Sequence, residues 1–492
     1  MRIRLLIVLT LAIIMAGCAA ATSTQGPSGA AGRGAGKGEF LAGAASRVIT
    51  PKLDDPSHII YMGGLERGLR PTGVHDDLHA RALVMTAADG TSMGLVVLDL
   101  IGLFLDDVDA IRAELRQRHP EVELSYLAVA STHTHAGPDV IGLWTPLGGV
   151  VDDAYVATLR AAAAEAVAAA WAARRPARLY TGSGMAPGLA RDTRLPEVID
   201  DTVMALGLRD ARTDEGIAAL ANWNSHPSVA GGENSRISTD FCGPLVRRLE
   251  ESWGGVGLYA SGALGGQIGS GRVKIPDPAT GRTPDDRMRK AELIGTQVAG
   301  IALEALASAR AGGIGERVDS ISIRTKSFHV PMENARFAQG LAMGLIRPRR
   351  LYAADGSGTG EFPSELADRT SLRSGSHTLR TEAAIVDAGA LRFAMIPGEL
   401  YPELSIGGIP DPQDPAADFP GAQREPALRP LSGKPLFLIG LANDELGYLI
   451  PKSQWDSQPP YAYDRDEPQY GERNSVGPEA AARVMEALAG LM

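Results

Sequence analysis

Leu95-Val96-Val97-Leu98-Asp99-Leu100-Ile101 is a nearly continuous apolar run of strand length. Runs of this kind belong to strands covered on both faces, because a strand with one wet face alternates apolar and polar residues. Downstream, Val108, Ile111 and Leu115 recur at helical spacing and stop before Pro120. A second short apolar run, Leu124 to Ala130, follows, and then an Ala-rich stretch from Asp153 to Ala173 that reads as a long helix ended by Arg174-Arg175-Pro176. Further on, Thr283-Pro284-Asp285-Asp286 reads as the opening of another helix, a capping residue followed by Pro and early acids. Alternation of this kind predicts an α/β fold with a mixed, largely buried β-sheet core flanked by helices, in one large domain.

The ends of the chain read differently. Arg2 and Arg4 precede an apolar run from Leu5 to Met15, shorter than the ~20 residues that span a bilayer. The run closes on Met15-Ala16-Gly17-Cys18, which has the form of a lipobox. Residues 1–17 are therefore expected to be a lipoprotein signal peptide and Cys18 the lipidated N-terminus, holding the chain to the cell envelope. Ala19, rather than Asp, favours the outer membrane where there is one. Residues 18–38 are rich in Ala, Gly, Ser and Thr and read as a flexible tether, leaving 39–492 as the globular domain. With Cys18 acylated, Cys242 has no partner, so stability must come from the core. The formal net charge of −10 and the lack of a basic stripe argue against a nucleic-acid partner. The densest basic patch, Arg347-Pro348-Arg349-Arg350, reads as a solvated turn, and 347–377, rich in Gly, Ser and Arg, as a surface excursion or flap.

Four apolar runs end in polar residues suited to chemistry. Leu124 to Ala130 leads into Ser131-Thr132-His133-Thr134-His135-Ala136-Gly137-Pro138. His-x-His is a common metal pattern, and a turn at Gly137-Pro138 would let one ring bind a metal while the other faces substrate. A run from Ile217 delivers Asn222-Trp223-Asn224-Ser225-His226-Pro227, with Asp240 following in Ile237-Ser238-Thr239-Asp240. Ala390 to Ile396 runs into Pro397-Gly398-Glu399, and Leu436 to Leu441 into Ala442-Asn443, with Tyr448 just beyond. Each alone has an ordinary structural reading. Together they match the way α/β enzymes assemble sites from several strand ends. There is no Gly-x-Ser-x-Gly elbow, so a serine hydrolase is disfavoured.

These segments resemble the catalytic domain of the neutral, or alkaline non-lysosomal, ceramidases from about Leu41 onward. The likeness begins at Ala44-Ala45-Ser46-Arg47-Val48-Ile49-Thr50-Pro51, continues through Gly73-Val74-His75-Asp76-Asp77-Leu78-His79, and is sharpest at Thr132 to Pro138. The resemblance implies a metal-dependent amidohydrolase that cleaves ceramide or a related N-acyl lipid by attack of a zinc-bound water. It implies one zinc per chain, held by His133, His226, Glu399 and Tyr448, and acid–base transfer by His135. It assigns substrate contact to Arg194, with Arg191 close enough to compete, and to Tyr470. Three departures qualify it: a Pro- and Tyr-rich stretch from Trp455 to Tyr463, Gly262-Ala263-Leu264-Gly265-Gly266-Gln267 where the family has Asn and Asp, and no counterpart of its immunoglobulin-like domain. Another small N-acyl amide or ester is therefore an alternative substrate, and a non-catalytic lipid- or metal-binding lipoprotein the alternative of a different class.

Overall fold

The computed structural model describes residues 38–492, apart from 56–57, 65, 148, 233, 314 and 367–371. The expected signal peptide, Cys18 and all of the tether except Gly38 lie outside the described residues.

Eight strands form the larger sheet, in the order Val256–Ser261, Gly216–Trp223, Thr202–Asp210, Arg175–Met185, Leu41–Val48, His79–Thr86, Ser92–Leu98 and Tyr126–Ser131. The outermost pair at each edge is parallel and the inner neighbours are antiparallel. The apolar run at Leu95 is the strand Ser92–Leu98, buried along its whole length. Val96 and Leu98 face helices Leu105–Arg118 and Asp153–Ala172, while Met93, Leu95 and Val97 face a second sheet. Over the other half of the large sheet lie helices Cys242–Trp253 and Arg287–Ala311. The Ala-rich composition of Asp153–Ala172 allows close approach: a Cβ at Gly43 would stand 2.2 Å from the Ala170 carbonyl oxygen.

The second sheet runs Ile321–Pro331, His377–Ala388, Leu391–Met395, Leu436–Ile439, with Tyr352–Ala353 paired to His377–Ala388. The C-terminal helix Ala480–Leu491 packs against its first two strands. The layers are thus helix, sheet, sheet, helix, an α/β architecture with a mixed and buried sheet core. That a second sheet completes this core was not legible in the sequence.

The larger sheet curls until its two edges approach. Ser261 Oγ donates to the Thr132 carbonyl at 2.7 Å, and the Gly440–Ala442 segment runs between them, with Gly440 N donating to Ser261 O at 2.8 Å and Ser131 N to Leu441 O at 3.3 Å. Asn222 acts as a substitute strand in this gap: its amide donates to Leu438 O at 2.7 Å and accepts from Leu438 N at 3.1 Å. Residues after the edge strands and after the second sheet's parallel pair are thereby gathered at one place.

Two local expectations need correction. The helix near Thr283 begins at Arg287, and its cap is Asp286, whose carboxylate accepts from Met288 N and Arg289 N. The basic patch is not a solvated turn. Arg349 is 2% exposed and pairs with Asp444 at 2.7 Å, and Arg347 pairs with Asp107 at 2.7 Å. Each guanidinium answers a carboxylate distant in sequence, which a charge count along the chain cannot show.

Candidate metal centre

His133 stands two residues beyond the edge strand Tyr126–Ser131, in a left-handed conformation with φ 68°. Such a conformation costs a non-glycine residue energy and persists where its surroundings hold it. Here His133 N donates to Leu100 O at 2.9 Å and its ring Nδ1 to Ile101 O at 2.6 Å. The break in the strand falls at His133 itself rather than at Gly137-Pro138. It turns the His133 and His135 rings nearly perpendicular, 80° apart with centroids 4.9 Å from each other. His135 is tied to the second histidine loop through its backbone N–H, which donates to Pro227 O at 3.0 Å, and its Nδ1 donates to Gly64 O at 2.9 Å. His226 follows strand Gly216–Trp223 and is fully buried. Asn224 fixes this turn by donating to Asp200 O and accepting from Ala263 N.

Glu399 and Tyr448 come from the second sheet's side. The parallel strands Leu391–Met395 and Leu436–Ile439 continue into the two-residue pair Glu399–Leu400 and Tyr448–Leu449, in which Glu399 and Tyr448 are register partners. Gly447, with φ 74°, lets the chain cross here. A Cβ at that position would lie 1.8 Å from the Asn474 carbonyl oxygen.

All five side chains converge. Glu399 Oε2 is 2.9 Å from His226 Nε2 and 3.3 Å from His133 Nε2, and the Tyr448 hydroxyl is 3.1 Å from His226 Nε2. His133, His135 and His226 each offer a ring nitrogen within 4.8 Å of the others, a set that can hold a metal ion. The protonation chemistry favours a cation there. Carbonyls accept only, so Nδ1–H donation to Ile101 and Gly64 leaves Nε2 of His133 and of His135 as lone pairs in the neutral rings. Nε2 of His135 is buried and has no hydrogen-bond partner among the described residues. Burial holds His135 and His226 below the ordinary imidazole value. Burial also opposes the Glu399 charge, yet His133 and His226 hold that carboxyl well below the usual range. The carboxylate thus asks for positive charge beside it while the buried rings resist protonation, and a divalent cation meets both demands. Imidazole nitrogens with one carboxylate are a donor set suited to zinc. Burial, then the Glu399 charge, push the Tyr448 phenol well above its usual value, so it would ligate as phenolate only to a bound metal.

His133, His135, Glu399 and Tyr448 form the floor of a cavity of about 390 Å3, with His226 fully buried against Glu399. One wall is apolar, including Ile101, Phe104, Ile141, Trp144 and Phe337. Asp139, just past the His-x-His segment, shapes this wall, its carboxylate accepting from Gly142, Trp144 and Thr145 backbone N–H groups.

Two solved structures share this architecture. The neutral ceramidase from Pseudomonas aeruginosa superposes with a TM-score of 0.64 at 19% identity, and a ceramidase complexed with C2 with 0.64 at 18%; each match covers 92% of this chain and 74% of the other. The chain has the neutral ceramidase fold. No protein-family model and no curated protein matches the sequence.

Within this ceramidase fold, the other expected site residues are placed unevenly. Tyr470 lines the cavity, 52% exposed, with its ring 5.6 Å from Tyr448. Arg194, expected to contact substrate, is not among the residues that line it. It is 1% exposed and pairs with Glu472 at 2.7 Å, and it donates to the carbonyls of Gln454 and of Tyr470, so it braces the segment that carries Tyr470. Arg191 does not line the cavity either. Asp240 anchors the loop after His226 by accepting from Ala230 N and Phe241 N; burial raises its pKa to about 6. The sequence reading missed Glu445, which lines the cavity and accepts from Gly447 N at 2.8 Å. Burial and the Glu399 charge push its carboxyl well above the usual range. The one signal for it was an Asn-Asp-Glu run between a buried strand and Gly447.

Proposed function

We propose that the chain is a zinc-dependent hydrolase that cleaves the amide bond of ceramide or a related N-acyl lipid. The observation that carries this reading is the convergence of three histidines, Glu399 and Tyr448, all but His226 lining a largely apolar cavity. The neutral ceramidase fold supports it.

His133, His226, Glu399 and Tyr448 would hold the metal, which when bound supplies Lewis acidity and lowers the pKa of a water towards ~7. The apolar wall at Phe104, Ile141 and Trp144 takes the acyl chain and excludes water from it. His135, kept neutral by burial, accepts a proton at Nε2 and returns it to the leaving amine. Tyr470 orients the amide from the rim by hydrogen bonding to its carbonyl oxygen. Arg194 acts on substrate only through the Tyr470 segment that it braces.

The mature chain, in the same proposal, begins at Cys18 and is held to the envelope by its lipid; mass spectrometry of the purified protein from its own host should find Cys18 acylated, and an unmodified Cys18 would refute the anchor. For the activity, the purified chain should release fatty acid from ceramide or another N-acyl amide, lose this with a chelator and regain it with zinc. Turnover indifferent to the chelator would refute the metal-dependent reading.

A further inference from the structure

Most arginines that face inward in this chain are paired: Arg194 with Glu472, Arg349 with Asp444, Arg347 with Asp107. Three that line the cavity are not. Arg67, Arg336 and Arg473 are exposed at its edge, and among the described residues none has a carboxylate within ion-pair distance. The side chain of Arg67 and the backbones of Arg336 and Arg473 are nevertheless held in place. Arg67 Nη2 donates to Leu143 O at 2.8 Å, fixing it beside the apolar wall. Asn334 caps helix Ala335–Ala342, accepting from Arg336 N at 2.9 Å, while its amide donates to the carbonyls of Glu472 and Arg473. One side chain thereby sets Arg336 and Arg473 on adjoining segments of the same mouth. In a chain of net charge −10, three exposed guanidiniums without an ion-pair partner among the described residues leave local positive charge at the edge of a cavity otherwise lined by apolar side chains, histidines and two glutamates.

We infer that the substrate is an N-acyl amphiphile with an anionic group, a carboxylate, phosphate or sulfate, on the amine side of its amide, and that Arg67, Arg336 and Arg473 receive that anion. This rests on the amide-hydrolase reading for the bond that is cleaved, but not for the charge that is recognised. The apolar wall accepts a hydrocarbon chain and gives nothing to an anion, so the charge must sit on the other part of the molecule. Guanidinium groups match planar carboxylate and phosphate oxygens in pairs, and at an exposed rim they add selectivity and steering more than bulk affinity. A membrane of anionic lipid offers the same chemistry, and the test separates the two.

N-lauroylglycine and N-lauroylethanolamine differ mainly in a carboxylate against a hydroxyl. Their binding to the full chain, by titration calorimetry, and their kcat/KM are compared. The inference expects the carboxylate compound to be preferred on the order of tenfold in both, three rim charges each contributing a factor of about two. The preference should shrink as salt is raised, and Arg67→Gln, Arg336→Gln and Arg473→Gln should each lower it by about that factor, the triple variant removing it. All three side chains are exposed, so the single variants should fold, and they suffice if the triple variant does not. Equal or tighter binding of the neutral compound overturns the inference, whether or not either is hydrolysed. A preference in binding with no hydrolysis of any amide keeps the inference on charge and refutes the hydrolase reading. Arginine-dependent binding to phosphatidylglycerol vesicles but not phosphatidylcholine vesicles, with no preference between the soluble compounds, assigns the rim to a membrane surface and overturns it too.

Discussion

At the floor of the cavity, His133 and Glu399, with His226 buried against them, are enclosed at strand ends, and the backbones of all three are tied to neighbouring segments by hydrogen bonds. At its rim, Tyr470, Arg336 and Arg473 stand in solvent on short turns or at a helix start. The two regions divide the work. Groups that must meet within a few ångströms are set by sheets that cannot shift without disturbing the core, whereas groups that select among molecules can vary without cost to it. Two buried ion pairs join the regions. Arg349–Asp444 holds the segment leading to Gly447 and Tyr448, and Arg194–Glu472 the one carrying Tyr470.

Removing a floor group should therefore have the largest effect. His135→Ala should cost on the order of 10²–10⁴ in turnover, the usual contribution of a positioned acid or base. Metal analysis of the same preparation then sorts its role: metal retained means proton transfer, metal lost means that His135 is itself a ligand. Full activity in this variant would show the floor to be structural.

Next come the braces. Arg349→Met leaves the Asp444 carboxylate buried without its partner and should destabilise the fold by about 3–5 kcal/mol, read by chemical denaturation. A loss under about 1 kcal/mol would mean that water reaches Asp444 and that the pair is not a brace.

What the sequence revealed follows the same division. The strands at Ser92–Leu98, Leu391–Met395 and Leu436–Ile439 were readable because both of their faces are buried and their runs are almost purely apolar. The histidines and Glu399 were readable because each follows such a run. Strand Ile321–Pro331 was not, since its partly exposed face carries Arg, Lys and Ser. Nor were the braces: Arg194 and Glu472 are joined only by the fold, and a buried arginine looks in sequence like one that touches substrate.

The floor should also set the acid limb of stability in the metal-free protein. His226 and His135 are held below their ordinary value by burial, whereas in the unfolded chain they titrate near 6.5. As pH falls through 6.5 the unfolded chain binds protons that the native state refuses. Stability should drop by about 1.4 kcal/mol per pH unit for each histidine. Glu399, whose folded pKa is depressed, adds to this loss only in the lower carboxylate range. Denaturation midpoints of the chelated protein between about pH 7 and about pH 5.5 check this, and His135→Gln should reduce the slope. A flat profile would mean that the rings are solvated. The smallest effect is expected at the rim: Tyr470→Phe removes one hydroxyl and should lower kcat/KM by roughly tenfold or less, with stability unchanged. A loss comparable to that of His135→Ala would move Tyr470 from the rim to the chemistry.

Metal content and N-acyl amide turnover, measured together on wild type, His133→Ala and His226→Ala with circular dichroism confirming that each is folded, decide whether the chain is a metal-dependent amide hydrolase. Wild type should carry close to one zinc per chain, and each variant should lose both zinc and turnover. Folded variants that keep wild-type zinc and turnover would contradict the metal-dependent reading.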